Sequence, residues 1–233
     1  MHPTPEWLAR YDLFAGLDAA ALAEAAQAGE LRAVDSGETY FLQGDDATRF
    51  YLLAEGRIRL TQVTPDGQQV VVKFIMPGEG FGIVAVLAGA PYPLTAEAVE
   101  PTVAYGWDGP AFKALMARHP ELSARSLKMV AQRVHEFQAR NRELATERVE
   151  RRIARTLLRL AGQSGVREAD GVRIDLPLTR QDVAEMTGTT MFSVSRVLSG
   201  WETAGILDTG RKRIVIRRLH DLVAIAEDLP TPG

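Results

Sequence analysis

The segment Leu178–Leu198 carries the side chains whose types and spacing most clearly predict a chemical role. Thr179 can cap a helix N-terminus, with Asp182 three residues later in the position of a capping box. Gly188 can adopt the left-handed backbone of a turn, and a second short helix is predicted over residues 189–198. The side chains predicted to face inward are Val183, Ala184, Met186, Val194, Val197 and Leu198. Two short helices joined by a glycine turn predict a helix-turn-helix, whose second helix enters the major groove of DNA.

The outward side chains of this segment suit contact with nucleic acid. Small hydroxyl residues permit close approach and bond to phosphates or base edges. Arg196 has the planar fork that bonds to guanine O6 and N7 together, worth about 1–3 kcal/mol of discrimination. Downstream, Asp208–Ile216 predicts a β-hairpin, or wing, with a basic tip. The residues predicted to contact DNA are Thr179, Arg180, Gln181, Thr189, Thr190, Met191, Phe192, Ser193, Ser195, Arg196, Arg211, Lys212 and Arg213.

A long helical stretch, Pro110–Leu144, precedes this segment and contains no glycine. Its one interior proline, Pro120, is compatible with the first turn of a new helix. Mostly apolar side chains recur at alternating intervals of four and three, which predicts the seam of a two-stranded coiled coil. The seam residues are Leu127, Val130, Val134, Phe137, Asn141 and Leu144, preceded by Ser123. A buried amide at Asn141 favours two strands in register, whereas a core helix packed on its own domain is the alternative.

The remaining chain predicts two further parts. Ahead of the long helix, short strands are separated by glycine and proline turns and preceded by a helix over Ala19–Ala28, which indicates a small barrel or sandwich. The predicted strands are Thr39–Leu42, Phe50–Leu53, Arg57–Val63, Val70–Ile75 and Thr102–Trp107. After it, a helix begins near Glu150, followed by a polar loop over Gly162–Gly171 and a strand over Arg173–Leu176.

Composition excludes several classes of protein. The 233 residues include no cysteine, so disulfides, thiolate metal sites and cysteine-ligated iron–sulfur clusters are ruled out. Residues 1–150 hold 14 basic and 20 acidic side chains, a net −6, and residues 151–233 hold 13 and 10, a net +3. The basic excess therefore falls where the DNA contacts are predicted. The N-terminus lacks a signal-peptide pattern and no apolar run reaches about 20 residues, so we expect a cytoplasmic protein with no membrane partner.

The chain resembles the cyclic-AMP receptor protein/FNR (CRP/FNR) family of bacterial transcription regulators. The stretches that carry the resemblance are Arg152–Leu160, Leu178–Gly188 and Val194–Leu198, together with the wing. The resemblance implies an α+β fold: a jelly-roll-like β-roll sensor (1–109), a long dimerisation helix (110–148) and a winged helix-turn-helix (149–233). It also implies a homodimer that regulates transcription at a near-palindromic promoter site, with RNA polymerase as a partner.

The recognition helix departs from the family's commonest pattern. Met191 and Phe192 stand where the family commonly has Arg or Ser and then Glu. Loss of the glutamate removes an acceptor for cytosine N4, whereas an aromatic ring can press on a thymine methyl. We therefore expect Arg196 still to read a guanine, while the neighbouring base preferences differ.

The sensor departs further. Family members that bind cyclic AMP have a Gly-Glu pair and, further on, an Arg-Ser/Thr pair; here Gly82 and Thr95 remain, but Ile83 replaces the glutamate and Pro93-Leu94 the arginine. A buried cyclic phosphate without its arginine would be nearly unpaired, at a cost of roughly several kcal/mol, so cyclic AMP is not expected. The effector-pocket residues implied by the resemblance are Gly82, Ile83, Leu94, Thr95, Arg133 and Phe137. The apolar side chains available to line a changed pocket are Ile83, Val84, Val86, Leu87, Tyr92, Leu94 and Phe137.

Several functional alternatives remain open. The sensor binds a small apolar or aromatic effector, or fills its pocket with its own side chains, or holds haem as gas-sensing relatives do, with His135 as the axial ligand to test first. Two rivals lie outside DNA binding: a cyclic-nucleotide module that signals to a protein, and a small hydrolase or isomerase built on a β-barrel. No metal cluster, Gly-x-Ser-x-Gly elbow or phosphate loop occurs in the sequence, so an enzyme is not expected.

Overall fold

The computed structural model describes residues 2–229, which fold into two compact units. The first unit runs to Gln68 and resumes at Val72–Phe137, and the second contains Gln69–Val71 and the chain from Gln138 onward. The boundary at Phe137 falls inside the long helix, so each unit contains part of that helix.

The chain up to residue 118 is a sandwich of short strands with helices at its edges. Its helices are α1 (Pro5–Leu8), α2 (Ala19–Ala28), α3 (Ile83–Ala88) and α4 (Gly109–Arg118), and α5 (Pro120–Thr146) follows. Its strands are β1 (Glu30–Val34), β2 (Thr39–Phe41), β3 (Arg49–Glu55), β4 (Ile58–Val63), β5 (Gln69–Ile75), β6 (Gly80–Phe81), β7 (Thr95–Ala98) and β8 (Thr102–Asp108). They form two four-stranded sheets in the orders β1-β8-β3-β6 and β2-β7-β4-β5. The five predicted strands are confirmed, with bounds moved by one or two residues.

Two groups of buried side chains hold this unit together. One joins the helices to strands β3 and β8, with Phe50, Trp107 and Phe112 among its largest members. The Trp107 indole Nε1 donates a hydrogen bond to the Ala25 carbonyl at 2.8 Å, so this buried ring is also satisfied as a donor. The other group lies between the sheets and is rich in aromatic rings, including Tyr51.

Helix α3 and strand β7 were not predicted from the sequence. Residues 83–88 are all apolar, so they show no helical periodicity, and the helix is delimited by Gly82 and Gly89 in left-handed conformations (φ +81° and +65°). Strand β7 buries only the small side chains of Ala96 and Ala98, which is too little apolar alternation to recognise in a sequence.

The second unit is a helical domain with a small sheet. Its helices are the end of α5, α6 (Val149–Ser164), α7 (Arg180–Thr187), α8 (Met191–Thr203) and α9 (Leu219–Glu227). Its strands are β9 (Gly165–Glu168), β10 (Gly171–Ile174), β11 (Leu207–Gly210) and β12 (Arg213–Ile216), in the order β11-β12-β10-β9.

The prediction of a loop over Gly162–Gly171 is wrong. Helix α6 continues to Ser164, and β9 then pairs antiparallel with β10, with Glu168 opposite Gly171. Three of the four β9 side chains are exposed. The strand is therefore held by its backbone partner, and no apolar alternation marks it in the sequence.

Candidate nucleic-acid interface

Helix α7 begins with the predicted capping box. The Thr179 hydroxyl accepts a hydrogen bond from the Asp182 N–H at 3.0 Å, and the Asp182 carboxylate accepts one from the Thr179 N–H at 2.8 Å. The Thr179 hydroxyl also donates to that carboxylate at 2.6 Å. Its proton is therefore engaged, which corrects the expectation that this side chain donates to a phosphate. Within residues 2–229 the N–H groups of Arg180 and Gln181 make no hydrogen bond, and they remain available to an anion.

The turn between α7 and α8 is built on Gly188, as predicted. Its φ of +58° lies in the left-handed region, and the next N–H, that of Thr189, donates to the Ala184 carbonyl at 3.0 Å. Arg152 of α6 binds this turn, because its Nε donates to the Thr187 carbonyl at 2.9 Å and its Nη2 to the Gly188 carbonyl at 3.3 Å. No local pattern in the sequence assigns this role to Arg152, since its partners are backbone atoms 35 and 36 residues further along the chain.

Helix α8 begins at the cap Thr190, whose hydroxyl oxygen accepts from the Ser193 N–H at 3.1 Å. Val194 and Leu198 are fully buried, as predicted, whereas Val197 is only half-buried because it lies at the margin of the inward face. Trp201 closes this face, and its indole N–H donates to Glu150 of α6 at 3.1 Å.

The outward face of α8 carries Phe192 and Arg196, one helical turn apart. Arg196 is exposed and makes no hydrogen bond or ion pair within the described residues. Phe192 is 75% exposed and Met191 beside it 53% exposed. Thr190 is exposed, and Thr189, Ser193 and Ser195 are half-exposed around these side chains. The structure thus brings the predicted contact residues of this helix to one surface.

Strands β11 and β12 form the predicted wing. Arg211 and Lys212 make its two-residue turn, with Lys212 in the left-handed region at φ +54°. Both side chains are exposed and have no partner in the described part of the chain, whereas Arg213 pairs with Glu168 at 3.0 Å. A cavity of about 370 Å³ opens between the wing and helices α7 and α8. Its lining includes the buried Leu178, Leu198 and Ile214 and the exposed Arg211, Lys212 and Arg213.

The predicted seam residues share one face of α5. Leu127 is 70% exposed and Phe137 65%, and Val134 and Leu144 are also exposed. Val130 is half-buried and Asn141 exposed. Leu144 also approaches the turn of the second unit, since its Cδ2 lies 3.0 Å from the position that a Cβ on Gly188 would occupy.

The residues predicted to line the effector pocket lie in several different environments. Ile83 is buried, with Val86, in the core beside β3, because this side of α3 packs against Phe50 and Leu52 of that strand. Gly82 starts α3, and the Thr95 hydroxyl accepts from the Gln43 N–H. Leu94 is half-buried and Phe137 exposed. Arg133 is bound to the Gly80 carbonyl at 3.2 Å and to Glu136 at 3.1 Å.

Aromatic side chains fill the space between the sheets instead. The rings of Phe41 and Tyr92 stack at 3.7 Å with an angle of 7° between their planes. The Tyr92 hydroxyl donates to the Arg49 carbonyl and accepts from the Arg49 N–H, and burial raises the pKa of this hydroxyl. Arg32 lies against the rings of Tyr40 and Tyr51 and donates to the Tyr51 hydroxyl at 2.8 Å.

His135 is exposed on α5 and lines neither the wing cavity nor a second cavity of about 170 Å³ beside α5. That second cavity is bounded by Gly78–Gly80 and by charged residues of α5 that include Arg125 and Arg133. Among residues 2–229, no three His, Asp or Glu side chains cluster as a metal site would require. In the same range, no helix combines the length and apolar character needed to cross a bilayer.

Comparison with known proteins agrees with this architecture. The family profile of the cyclic nucleotide-binding domain matches residues 31–119, and that of the Crp-like helix-turn-helix domain matches residues 151–225. The transcriptional regulator LdrP of Thermus thermophilus is 32% identical over 192 residues, which cover 82% of this chain and 92% of that protein. The chain belongs to the CRP/FNR family of transcription regulators. Its relatives are regulators and not enzymes.

Two further CRP/FNR proteins extend the likeness. The CRP-like cAMP-activated global transcriptional regulator of Mycobacterium tuberculosis is 27% identical over 213 residues, 91% of this chain and 94% of that protein. The crystal structure of TTHB099, a CRP-family transcriptional regulator from Thermus thermophilus, superposes with a TM-score of 0.72 at 29% identity. The match covers 85% of this chain and 97% of that one.

Proposed function

We propose that this CRP/FNR regulator binds a near-palindromic promoter site as a homodimer, with Arg196 of α8 reading a guanine. The observation that carries the proposal is the exposed and unpaired Arg196 guanidinium, one helical turn from Phe192 and in the same unit as the wing-tip cations, which also lack partners among the described residues. A helix N-terminal N–H pair at Arg180 and Gln181 adds a phosphate contact of the kind that sets register on the duplex.

Selection from a random duplex library tests this reading. We expect wild type to select a site containing an invariant guanine in each half, and Arg196→Ala to lose about 1–3 kcal/mol of preference for it. Arg167→Ala is the matched control, because Arg167 is also exposed and unpaired in the described residues but lies on β9, at the far edge of the sheet from β11. Retention of the guanine preference in Arg196→Ala would overturn the assignment.

The exposed seam of α5 supports the homodimer. Its apolar side chains lie on one helix face in heptad spacing, as two parallel helices in register require. In a parallel pair Asn141 meets its own copy, and the two amides bond to each other. In an antiparallel pair Asn141 would face an apolar residue and leave an amide unpaired, at a cost of about 1–3 kcal/mol. The parallel pair is therefore favoured.

We expect such a dimer to carry two recognition helices, one from each chain. Productive binding needs the two recognition helices about 34 Å apart, which is one turn of DNA. The packing of the seam sets this separation, so an effector or promoter would act by favouring one arrangement of the seam. We expect RNA polymerase to be the partner at the promoter and the cytoplasm to be the place of action, both on the likeness to the family.

We further propose that the sensor does not respond to cyclic AMP. The support is the pair of replaced side chains, Ile83 and Leu94, and the stacked Phe41 and Tyr92 rings between the sheets. A thermal melt with increasing cyclic AMP tests this. A ligand at 100 times its Kd would add about 2.7 kcal/mol of stability, so a saturable rise in Tm would contradict the proposal and an unchanged Tm is expected.

A further inference from the structure

The first turn of α8 presents the largest exposed apolar side chain of the DNA-binding unit. Phe192 is 75% exposed, more than any other large hydrophobic residue described, and Met191 beside it is 53% exposed. Phe192 stacks on no other described aromatic ring. Aromatic residues and methionine are enriched at contact surfaces relative to the rest of a protein's surface, which makes Phe192 and Met191 candidates for a contact.

The position of Met191 and Phe192 indicates which kind of molecule contacts them. The cap Thr190 fixes the start of α8, so Phe192 stands in the first turn, on the same outward face as Arg196. The unit that carries this face also carries the exposed cations Arg211 and Lys212, which suit a polyanion and not an apolar protein surface. The expected neighbour of Phe192 is therefore a DNA base edge.

The chemistry of the two side chains indicates which group of the base they contact. Neither a phenyl ring nor a thioether donates a strong hydrogen bond or accepts one, so they cannot distinguish bases by the donor and acceptor pattern of the major groove. The one apolar group that a base displays there is the methyl on C5 of thymine. The same methyl occurs on 5-methylcytosine.

We propose that Phe192 recognises the C5-methyl group of a pyrimidine, so that the operator favours a methylated pyrimidine near the guanine read by Arg196. This inference rests on the proposed function and adds a specificity determinant to it. Four residues of helix rise about 6 Å, and base pairs are spaced about 3.4 Å apart, so the methyl belongs within about two base pairs of that guanine.

Replacing thymine by uracil tests the proposal, because it removes the methyl and leaves every hydrogen-bonding group in place. In duplexes of the selected site, each thymine is exchanged singly for uracil. We expect one position per half-site to weaken binding about fourfold, and both halves together about fifteenfold, as loss of one buried methyl predicts. Where that position is a cytosine, 5-methylcytosine should instead strengthen binding by a similar factor.

Two variants make the test specific. Phe192→Ser should bind the thymine and uracil duplexes equally. Leu219→Ser is the control, since Leu219 is also an exposed hydrophobic residue of this unit but lies on α9, and it should keep the full preference for thymine. Sedimentation of Phe192→Ser without DNA should match wild type; an altered oligomeric state would assign the pair to a protein contact and overturn the proposal.

The outcomes separate this inference from the proposed function. If wild type selects no site, or if Arg196→Ala keeps the guanine preference, the proposed function fails. If Arg196 reads its guanine, but every uracil duplex binds like its thymine counterpart and no 5-methylcytosine duplex binds more tightly than its cytosine counterpart, methyl recognition alone is refuted.

Discussion

Arg152 ties helix α6 to the turn that positions the recognition helix, so its loss should loosen that helix without unfolding the protein. Its Nε and Nη2 donate to the Thr187 and Gly188 carbonyls at 2.9 and 3.3 Å, and its Nη1 donates to the Glu147 carbonyl at 2.8 Å. In Arg152→Met the aliphatic packing is retained and these bonds are lost.

The magnitude follows from the geometry. A hydrogen bond from a charged donor contributes about 1.5–3 kcal/mol when buried, and less where water can replace it. Arg152 is half-buried and its bond to Gly188 is long. We therefore expect its replacement to lower the free energy of local opening of the α7–α8 turn by about 2 kcal/mol. Where the exchange rate is proportional to the opening equilibrium constant, this corresponds to about 30-fold faster amide exchange.

Hydrogen–deuterium exchange of peptides that cover α7 and α8 measures this directly. Arg151→Met is the matched control, because the neighbouring Arg151 donates to the Ala226 carbonyl at the end of α9 and makes no bond to the turn. We expect faster exchange over α7 and α8, and weaker operator binding, in Arg152→Met only. Equal exchange in the two variants would refute the role of Arg152 as a support of the turn.

Three other perturbations test separate parts of the structure. Lys212→Gly should raise the thermal stability by about 1 kcal/mol, because it relieves a left-handed φ of +54°. It should also reduce the salt dependence of DNA binding by about one phosphate contact, and an unchanged or steeper dependence would contradict the wing contact. Leu127→Asp should give a monomer in analytical ultracentrifugation and Asn141→Leu should not, and a dimeric Leu127→Asp would place the interface elsewhere. Tyr92→Phe leaves the Arg49 N–H and carbonyl without their buried partner, so denaturant unfolding should show a loss of about 1–3 kcal/mol, whereas an unchanged midpoint would mean that water replaces the hydroxyl.

The amino-acid sequence by itself determined the parts of this protein whose structure depends on local chemistry. The capping box at Thr179 and the glycine turn at Gly188 each require particular residue types at fixed spacing, and both were predicted, as was the wing hairpin over Asp208–Ile216. The inward face of α8 followed from helical periodicity, apart from Val197 at its margin. Patterns of this kind survive in a sequence because the backbone geometry of caps and turns admits few side chains.

Only the tertiary structure decided where side chains with no local pattern lie. Ile83 was predicted to line an effector pocket and is instead buried in the core, since an apolar run carries no information about which surface it covers. Strand β9 exists through its pairing with β10, and the turn at Gly188 is held by Arg152 from a helix 36 residues earlier. These contacts join segments that are distant in the chain, and their energies depend on distances that no spacing of residues encodes.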